Sequence, residues 1–267
     1  MVPESLDSTT AEWGEQTYKE IRSIGQQDGS VLLIPIGSIE QHGNHLPVAT
    51  DTILVDAIAK LGIDRVSGEV PILKTPPFWS GYSPHHLGFG GTLSLDFDVI
   101  IAAIENIADS ALQNGFDALL LLNGHGGNMS LISTAVSTIG EENDDVEVLG
   151  LTYFRLANEF IDDIRESDIG GMSHGGEFET SLMLYLRKDL VDETSIDAQP
   201  LEEPYERGTQ DLVDSGPVHV YREFEEYSST GAIGEPEFAS AEKGESIYRL
   251  LGDEIESFIQ EIHQQNV

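Results

Sequence analysis

The sequence predicts an α/β fold with a mostly parallel central sheet, and three observations carry that expectation. Continuous apolar runs such as Val31 to Ile36 and Ala118 to Leu122 have strand length without polar alternation, the pattern of strands buried on both faces. Between them lie stretches with apolar residues at helical spacing. The two patterns alternate along the chain, as in βαβ units with right-handed crossovers. With 267 residues and neither an internal repeat nor a linker, a single domain over residues 1–267 is expected.

Taken in order, Ala11 to Ile24 reads as a short helix, and Val31 to Ile36 follows Asp28-Gly29 as a central strand. DTILVDAIAKL, Asp51 to Leu61, has helical spacing with Thr50 or Asp51 as its N-cap. Glu69 to Lys74 reads as a strand leading into PPFWSGYSPHHLGFGGTLSLD. A loop of that length rich in aromatics has a functional reading, with Phe78, Trp79 and Tyr82 as a pocket wall. Phe97 to Gln113 is an expected helix stopped by Asn114-Gly115, and Ala118 to Leu122 the next strand. Asn128 to Ile139 reads as helix, Val146 to Tyr153 as strand, and Phe154 to Arg165 as helix. After Gly170-Gly171, SHGGEFETSLMLYL is helical in its second half. Asp197 to Glu237 is polar and receives no assignment, and Ala239 to Ile262 closes the chain as an amphipathic helix.

The charge is extreme: 48 acidic against 13 basic residues give a formal -35 at pH 7. Binding to a nucleic-acid backbone is excluded as the main activity, because that requires clustered Lys and Arg. Periodic apolar segments argue for a folded protein, so the acidity reads as adaptation to concentrated salt, where self-repulsion is screened. There is no cysteine, hence neither a disulfide nor a thiolate ligand. MVPESLDSTTAEWGEQ lacks the regions of a signal peptide and no apolar run spans a bilayer, so a soluble, cytoplasmic, halophilic protein is expected.

Chemistry concentrates in IPIGSIEQHGNHLPVATDT, Ile34 to Thr52. Glu40 and His42, two apart in extended chain, face one side. His125 follows the strand that ends at Leu122, and ligands in open α/β sheets bind beyond the carboxyl ends of strands. Asp51 reaches the same edge from its helix start, with two oxygens able to bridge two cations. Such a set polarises a carbonyl and acidifies a water without a serine or cysteine nucleophile; mixed O/N ligation suits Zn, Mn or Fe(II). His174 is placed to move a proton during amide cleavage. Glu177 and Glu179 lie roughly 200° apart on a helix, so only one reaches the metals. Gly126 and Gly127 in NGHGGN let the backbone approach a ligand, and His86 lines the pocket. His45 reads as a structural neighbour of the ligands.

PIGSIEQHGNHLPVATDT, GFGGTLSL, NGHGGN and HGGEFETSLML, in this order over most of the chain, resemble the creatininase (creatinine amidohydrolase) family. The resemblance implies a three-layer α/β/α sandwich, a homo-oligomer, and two divalent metals that serve hydrolysis of cyclic or linear amides. It implies Glu40, His42, Asp51 and His125 as metal ligands, Asp51 as the bridge and His174 as the acid/base residue. Creatinine-hydrolysing members carry an aromatic residue and a carboxylate where this chain has Gly126 and Gly127, and tryptophans at the positions of Phe154 and Gly170. Glu177, at a position apolar in those members, is the expected replacement ligand and a catalytic residue, with Tyr82, His86, Gly126 and Gly127 binding substrate. The GHGGN and HxGE pattern is similar to that of the archaeal deformylase acting on a formamidopyrimidine ribonucleotide in riboflavin and deazaflavin biosynthesis. A small-molecule formamide is therefore the expected substrate, with creatinine or another cyclic amide as the alternative, and a non-catalytic metal-binding protein as the alternative of another class. Lys74 and helix N-termini are the groups available to hold a phosphate.

Overall fold

The computed structural model describes residues 11–200, 205, 207, 208, 211–214 and 216–267. Four strands, β1 (Val31–Ile36), β2 (Ile72–Lys74), β3 (Ala118–Asn123) and β4 (Glu147–Thr152), form one parallel sheet in the order β2-β1-β3-β4. Six α-helices are present among the described residues: α1 (Tyr18–Gly25), α2 (Thr50–Val66), α3 (Phe97–Leu112), α4 (Met129–Glu142), α5 (Glu177–Leu186) and α6 (Ala241–Gln265).

Side-chain alternation along the strands divides the interior into two cores. Val31 and Leu33 of β1, with Ala118, Leu120 and Leu122 of β3, pack with α2, α5 and α6. Leu32, Ile34 and Ile36, with Leu119 and Leu121, face the opposite way onto α1, α3 and α4. The α/β/α layering expected from the apolar runs follows directly, because a strand with two apolar faces needs helices on both.

Local chemistry sets the helix ends. Thr17 caps α1 through a reciprocal capping box with Glu20, and the Ser240 hydroxyl accepts from the Lys243 amide at the start of α6. At α2 neither Thr50 nor Asp51 is the cap: the cap position is Ala49, Thr50 bonds back to the Pro47 carbonyl at 2.7 Å, and Asp51 lies in the first turn. Its carboxylate is consequently free for the sheet edge.

Two expectations change. The helix expected over Phe154 to Arg165 is a pair of 3-10 turns, Tyr153–Glu159 and Ile161–Asp163. Phe154, Ala157 and Ile161 do enter the core at helical spacing, but Phe160, at φ -138 and ψ -10, leaves the helical region and divides the segment. Core packing of these three side chains overrides propensity. Lys74, the suggested phosphate group, is instead buried at 1% exposure, its Nζ 2.7 Å from Asp56 and 3.1 Å from Glu12.

Burial opposes the charge of Asp56, but Lys74 and Lys60 hold its carboxyl below the ordinary range. A carboxyl depressed in the folded state contributes stability above its unfolded value of about 3.9, lost as pH falls through the folded value. Lys74→Ala is expected to cost about 3–5 kcal/mol at neutral pH, as for other broken buried pairs. Urea unfolding between pH 7 and pH 3 should show a shallower acid-side decline in the variant than in the parent.

Candidate metal centre

The site is assembled at the carboxyl edge of the sheet, beyond β1 and β3, from the first turns of α2 and α5 and the loop after β2. Gly124, just past β3, allows the first turn of α2 to come close: a Cβ there would stand 2.6 Å from Val55 and 3.1 Å from the Asp51 carbonyl. This approach brings Asp51 to His125. Glu40, His42, Asp51, His125 and Glu179 are all buried, none more than 4% exposed.

Asp51 divides its two oxygens between two imidazoles: Oδ1 lies 3.1 Å from His42 Nε2, and Oδ2 3.1 Å from His125 Nδ1. Glu40 stands on the His125 side, with Oε2 3.2 Å from Nε2, and Glu179 on the His42 side, with Oε1 3.7 Å from Nε2. The ligand atoms form three overlapping triads, each within 4.8 Å: Glu40–Asp51–His125, His42–Asp51–Glu179 and Glu40–His42–His174.

Hydrogen bonding shows what this arrangement requires. His42 Nδ1 lies 3.0 Å from the Glu40 carbonyl, an obligate acceptor, so Nδ1–H donates there and the neutral tautomer turns a lone pair on Nε2 toward Asp51 and Glu179. His125 Nε2 lies 3.2 Å from the Tyr82 carbonyl; with that proton assigned, Nδ1 likewise turns a lone pair toward Asp51. Asp51 Oδ2 is buried without a hydrogen-bond partner among the described residues. Acceptors therefore face acceptors, which is favourable only with a cation between them.

With protons as the available cations, the imidazoles take that role. Burial works against a charged His125, yet Glu40 and Asp51 raise it to about 10. Burial likewise opposes His42, but Asp51 and Glu179 hold it well above the usual range. Burial disfavours the Glu40 charge too, and His125 and His86 outweigh it to hold the carboxyl low. For Glu179 burial dominates and the carboxyl is raised. The oxygen and nitrogen donors present, and their demand for positive charge, fit divalent metal ions.

His174 is held differently. Its Nε2 lies 2.5 Å from the Gln41 carbonyl and its Nδ1 3.5 Å from Glu40, with its ring centred 4.2 Å from His42. Burial, then the neighbouring His42, pushes it down to about 3, so it is a neutral imidazole with Nδ1 open toward the centre. His86 closes another side, Nε2 3.4 Å from Glu40 and Nδ1 2.7 Å from the Gln41 amide. His45 bonds Gly175 and Thr180, tying the loop after β1 to the start of α5.

Glu177 is not in this cluster. It turns to the other side of α5, accepts 3.0 Å bonds from the Glu166 and Ser167 amides, and pairs with Lys243. Helix phase allowed one of the two carboxylates to reach the centre, and the distant Lys243 decided which; Glu179, oriented by the Gly175 amide at 2.6 Å, occupies that place. Tyr82 meets the site through its carbonyl while its ring packs edge-on to Phe97. Phe78 and Trp79 line a separate apolar groove of about 480 Å³ with Trp13 and Ile107. Gly126 is exposed at the rim near Leu212. Gly127 lies directly over His125, where a Cβ would stand 2.4 Å from Nε2. Two residues against His174 received no role from the sequence: Gln41, although it lies between Glu40 and His42 in the quoted stretch, and Phe224, which belongs to no motif.

A parallel α/β sheet with a buried carboxylate-imidazole centre at its carboxyl edge defines a class, that of α/β proteins built to hold metal at the sheet edge. The family model for creatinine amidohydrolase matches residues 14–259, and the chain belongs to this creatininase family. It is 30% identical over 263 residues to the creatinine amidohydrolase of Pseudomonas putida, covering 93% of this chain and 95% of that one. It is 31% identical over 236 residues to the mycofactocin precursor peptide peptidase of Mycobacterium ulcerans, covering 85% and 84%. The solved structure "Creatininase Mn" superposes with a TM-score of 0.82 at 29% identity, covering 95% of this chain and 98% of that one. The chain is thus a metal-dependent hydrolase of C–N bonds. Among the described residues no helix is long and apolar enough to cross a membrane.

Two substitutions separate the neighbouring carboxylates. Glu179→Gln should weaken metal binding roughly 10–100-fold or more, read as metal per chain after dialysis. Glu177→Gln should retain the metal and lose about 3 kcal/mol of stability by leaving Lys243 beside an uncharged amide.

Proposed function

We propose that the protein hydrolyses a small non-peptide amide, the formamide of a formamidopyrimidine ribonucleotide, on two divalent cations. Glu40, Asp51 and His125 would hold one ion, and His42, Asp51 and Glu179 the other. The observation that carries this reading is the division of the Asp51 carboxylate between two triads, with His86 and His174 packed beside them. When bound, such ions supply Lewis-acid polarisation of an amide carbonyl and lower the pKa of a water.

The chain supplies the remainder. Nε2–H of His174 is committed to the Gln41 carbonyl, so Nδ1 accepts the proton of the attacking water and returns it to the departing amine nitrogen. The C–N bond breaks, the formyl carbon keeps the water oxygen, and formic acid and the free amine result. A formyl group, with hydrogen in place of an acyl chain, suits so enclosed a centre.

Creatinine hydrolysis is the second reading, favoured by the identity to the Pseudomonas putida enzyme along nearly the whole chain. Against it stands the chain's own loop, where Gly126 and Gly127 provide neither an aromatic ring nor a carboxylate. Metal-reconstituted protein in concentrated KCl, assayed for formate from the formamidopyrimidine ribonucleotide and separately for creatine from creatinine, should release formate alone. Creatine would establish the second reading, and neither product would remove both. His174→Ala should lower kcat by about 10²–10⁴ while the metal stays bound.

The formal charge of -35 belongs to the same proposal, a protein working in concentrated salt. Raising KCl from ~0.1 M to ~2 M shortens the Debye length from about 10 Å to under 3 Å. The thermal midpoint should rise across that range; a flat or falling midpoint would contradict the halophilic reading.

A further inference from the structure

Phe224 is half-buried and belongs to neither core; its ring lies against imidazoles of the site, with centroid separations of 3.9 Å to His86, 4.8 Å to His174 and 5.4 Å to His85. Toward His174 it stands edge-on, at an interplanar angle of 74°, and Tyr221 meets His85 in the same way at 77°.

The segment is fixed over the site from two sides. The Gln41 amide, already bonded to His86, donates to the Gly231 carbonyl at 2.9 Å, and a Cβ at Gly231 would stand 2.0 Å from the Gln41 side chain. The Glu225 carboxylate lies against Gly88, where a side chain would collide with it. Phe224–Glu226 itself forms a short 3-10 turn closed by reciprocal Glu223 and Glu226 bonds. A residue held this firmly, yet packed on polar rings rather than in a core, is placed for a ligand. Among the described residues no other aromatic hydrocarbon ring lies so close to His174: Phe154 is core, 2% exposed, and position 170 is glycine.

We propose that Phe224 is the specificity-determining residue of the site, its ring and those of His85 and His86 forming the aromatic face against which a flat, conjugated amide lies. A planar ring gains from stacked or edge-to-face contact with Phe224, whereas an alkyl amide gains only apolar burial. The inference rests on the formamide reading above and names the shape of the group that carries the formyl.

The test compares formanilide with N-propylformamide on Mn-reconstituted protein, in the parent and in Phe224→Leu and Phe224→Trp. The ratio of kcat/KM values for the two substrates should fall about fivefold in Phe224→Leu, mostly through KM for formanilide, and be restored in Phe224→Trp, the size expected for one aromatic pair. An unchanged ratio would overturn the proposal. If the parent releases formate from neither substrate, the formamide reading fails separately, and binding decides on Phe224. Ligand-observed NMR with benzamide and cyclohexanecarboxamide should then show a preference for benzamide that Phe224→Leu abolishes; a parent without that preference overturns the aromatic face.

Discussion

Three carboxylates buried within one small volume, Glu40, Asp51 and Glu179, impose the constraint on which the rest of this structure depends. They are 1%, 2% and 3% exposed, and among the described residues their ionic partners are imidazoles rather than Lys or Arg. Each buried anion costs several kcal/mol unless a cation compensates it. Protons on His42 and His125 provide part of that compensation, which is why both imidazoles hold their charge against burial. Metal ions would provide it more completely, since Asp51 Oδ2 has no hydrogen-bond partner among the described residues. The fold contributes further: Asp51 and Glu179 sit in the first turns of α2 and α5, where the helix dipole favours negative charge.

The same electrostatics govern the scarce basic residues. Against 48 acidic side chains the chain has 13 Lys and Arg, and several of them work inside the protein. Lys74 joins Glu12 to Asp56 beneath the sheet edge, Lys243 joins α6 to Glu177 at the start of α5, and Arg165 pairs with the fully buried Asp211. Internal cations thus anchor segments whose placement the site requires, and the excess of acid is left largely to the surface. Shielding by salt acts on that exterior field, while these buried pairs are screened much less.

The sheet was legible because its signal is local. β1 and β3 are uninterrupted apolar runs, and His42 and His125 follow them at the edge where ligands collect. Asp51 was legible as a residue near a helix start, although its role as cap was not what the helix used. Glu177 and Glu179 could not be separated from sequence, since helix phase says that one carboxylate faces the centre without saying which. That choice came from Lys243, 66 residues away, which draws Glu177 to the opposite side. Phe224 was illegible for a related reason: it lies in a polar stretch without periodicity, and its position depends on Gln41 and Gly88, more than 100 residues earlier. The 154–165 segment failed in the reverse direction, its helical spacing satisfied by two 3-10 turns once Phe160 left the helical region.

One close approach limits what the 126–127 loop can place at the centre. At Gly127 any side chain would meet His125 Nε2 and the Tyr82 carbonyl, so a carboxylate projecting from that position is incompatible with His125 as it stands. Glu179 stands on the opposite wall, where the Gly175 amide orients one oxygen and leaves the other 3.7 Å from His42. Its place is a helix turn rather than a glycine-rich loop, and His45 ties it to the strand-end loop through Gly175 and Thr180. With no side chain at Gly127, the space above His125 is bounded instead by groups reaching in from the loop after β2 and from the Phe224 segment. The centre and its cover thus come from different parts of the chain: the first from the residues around Asp51, the second from the loop after β2 and the Phe224 segment.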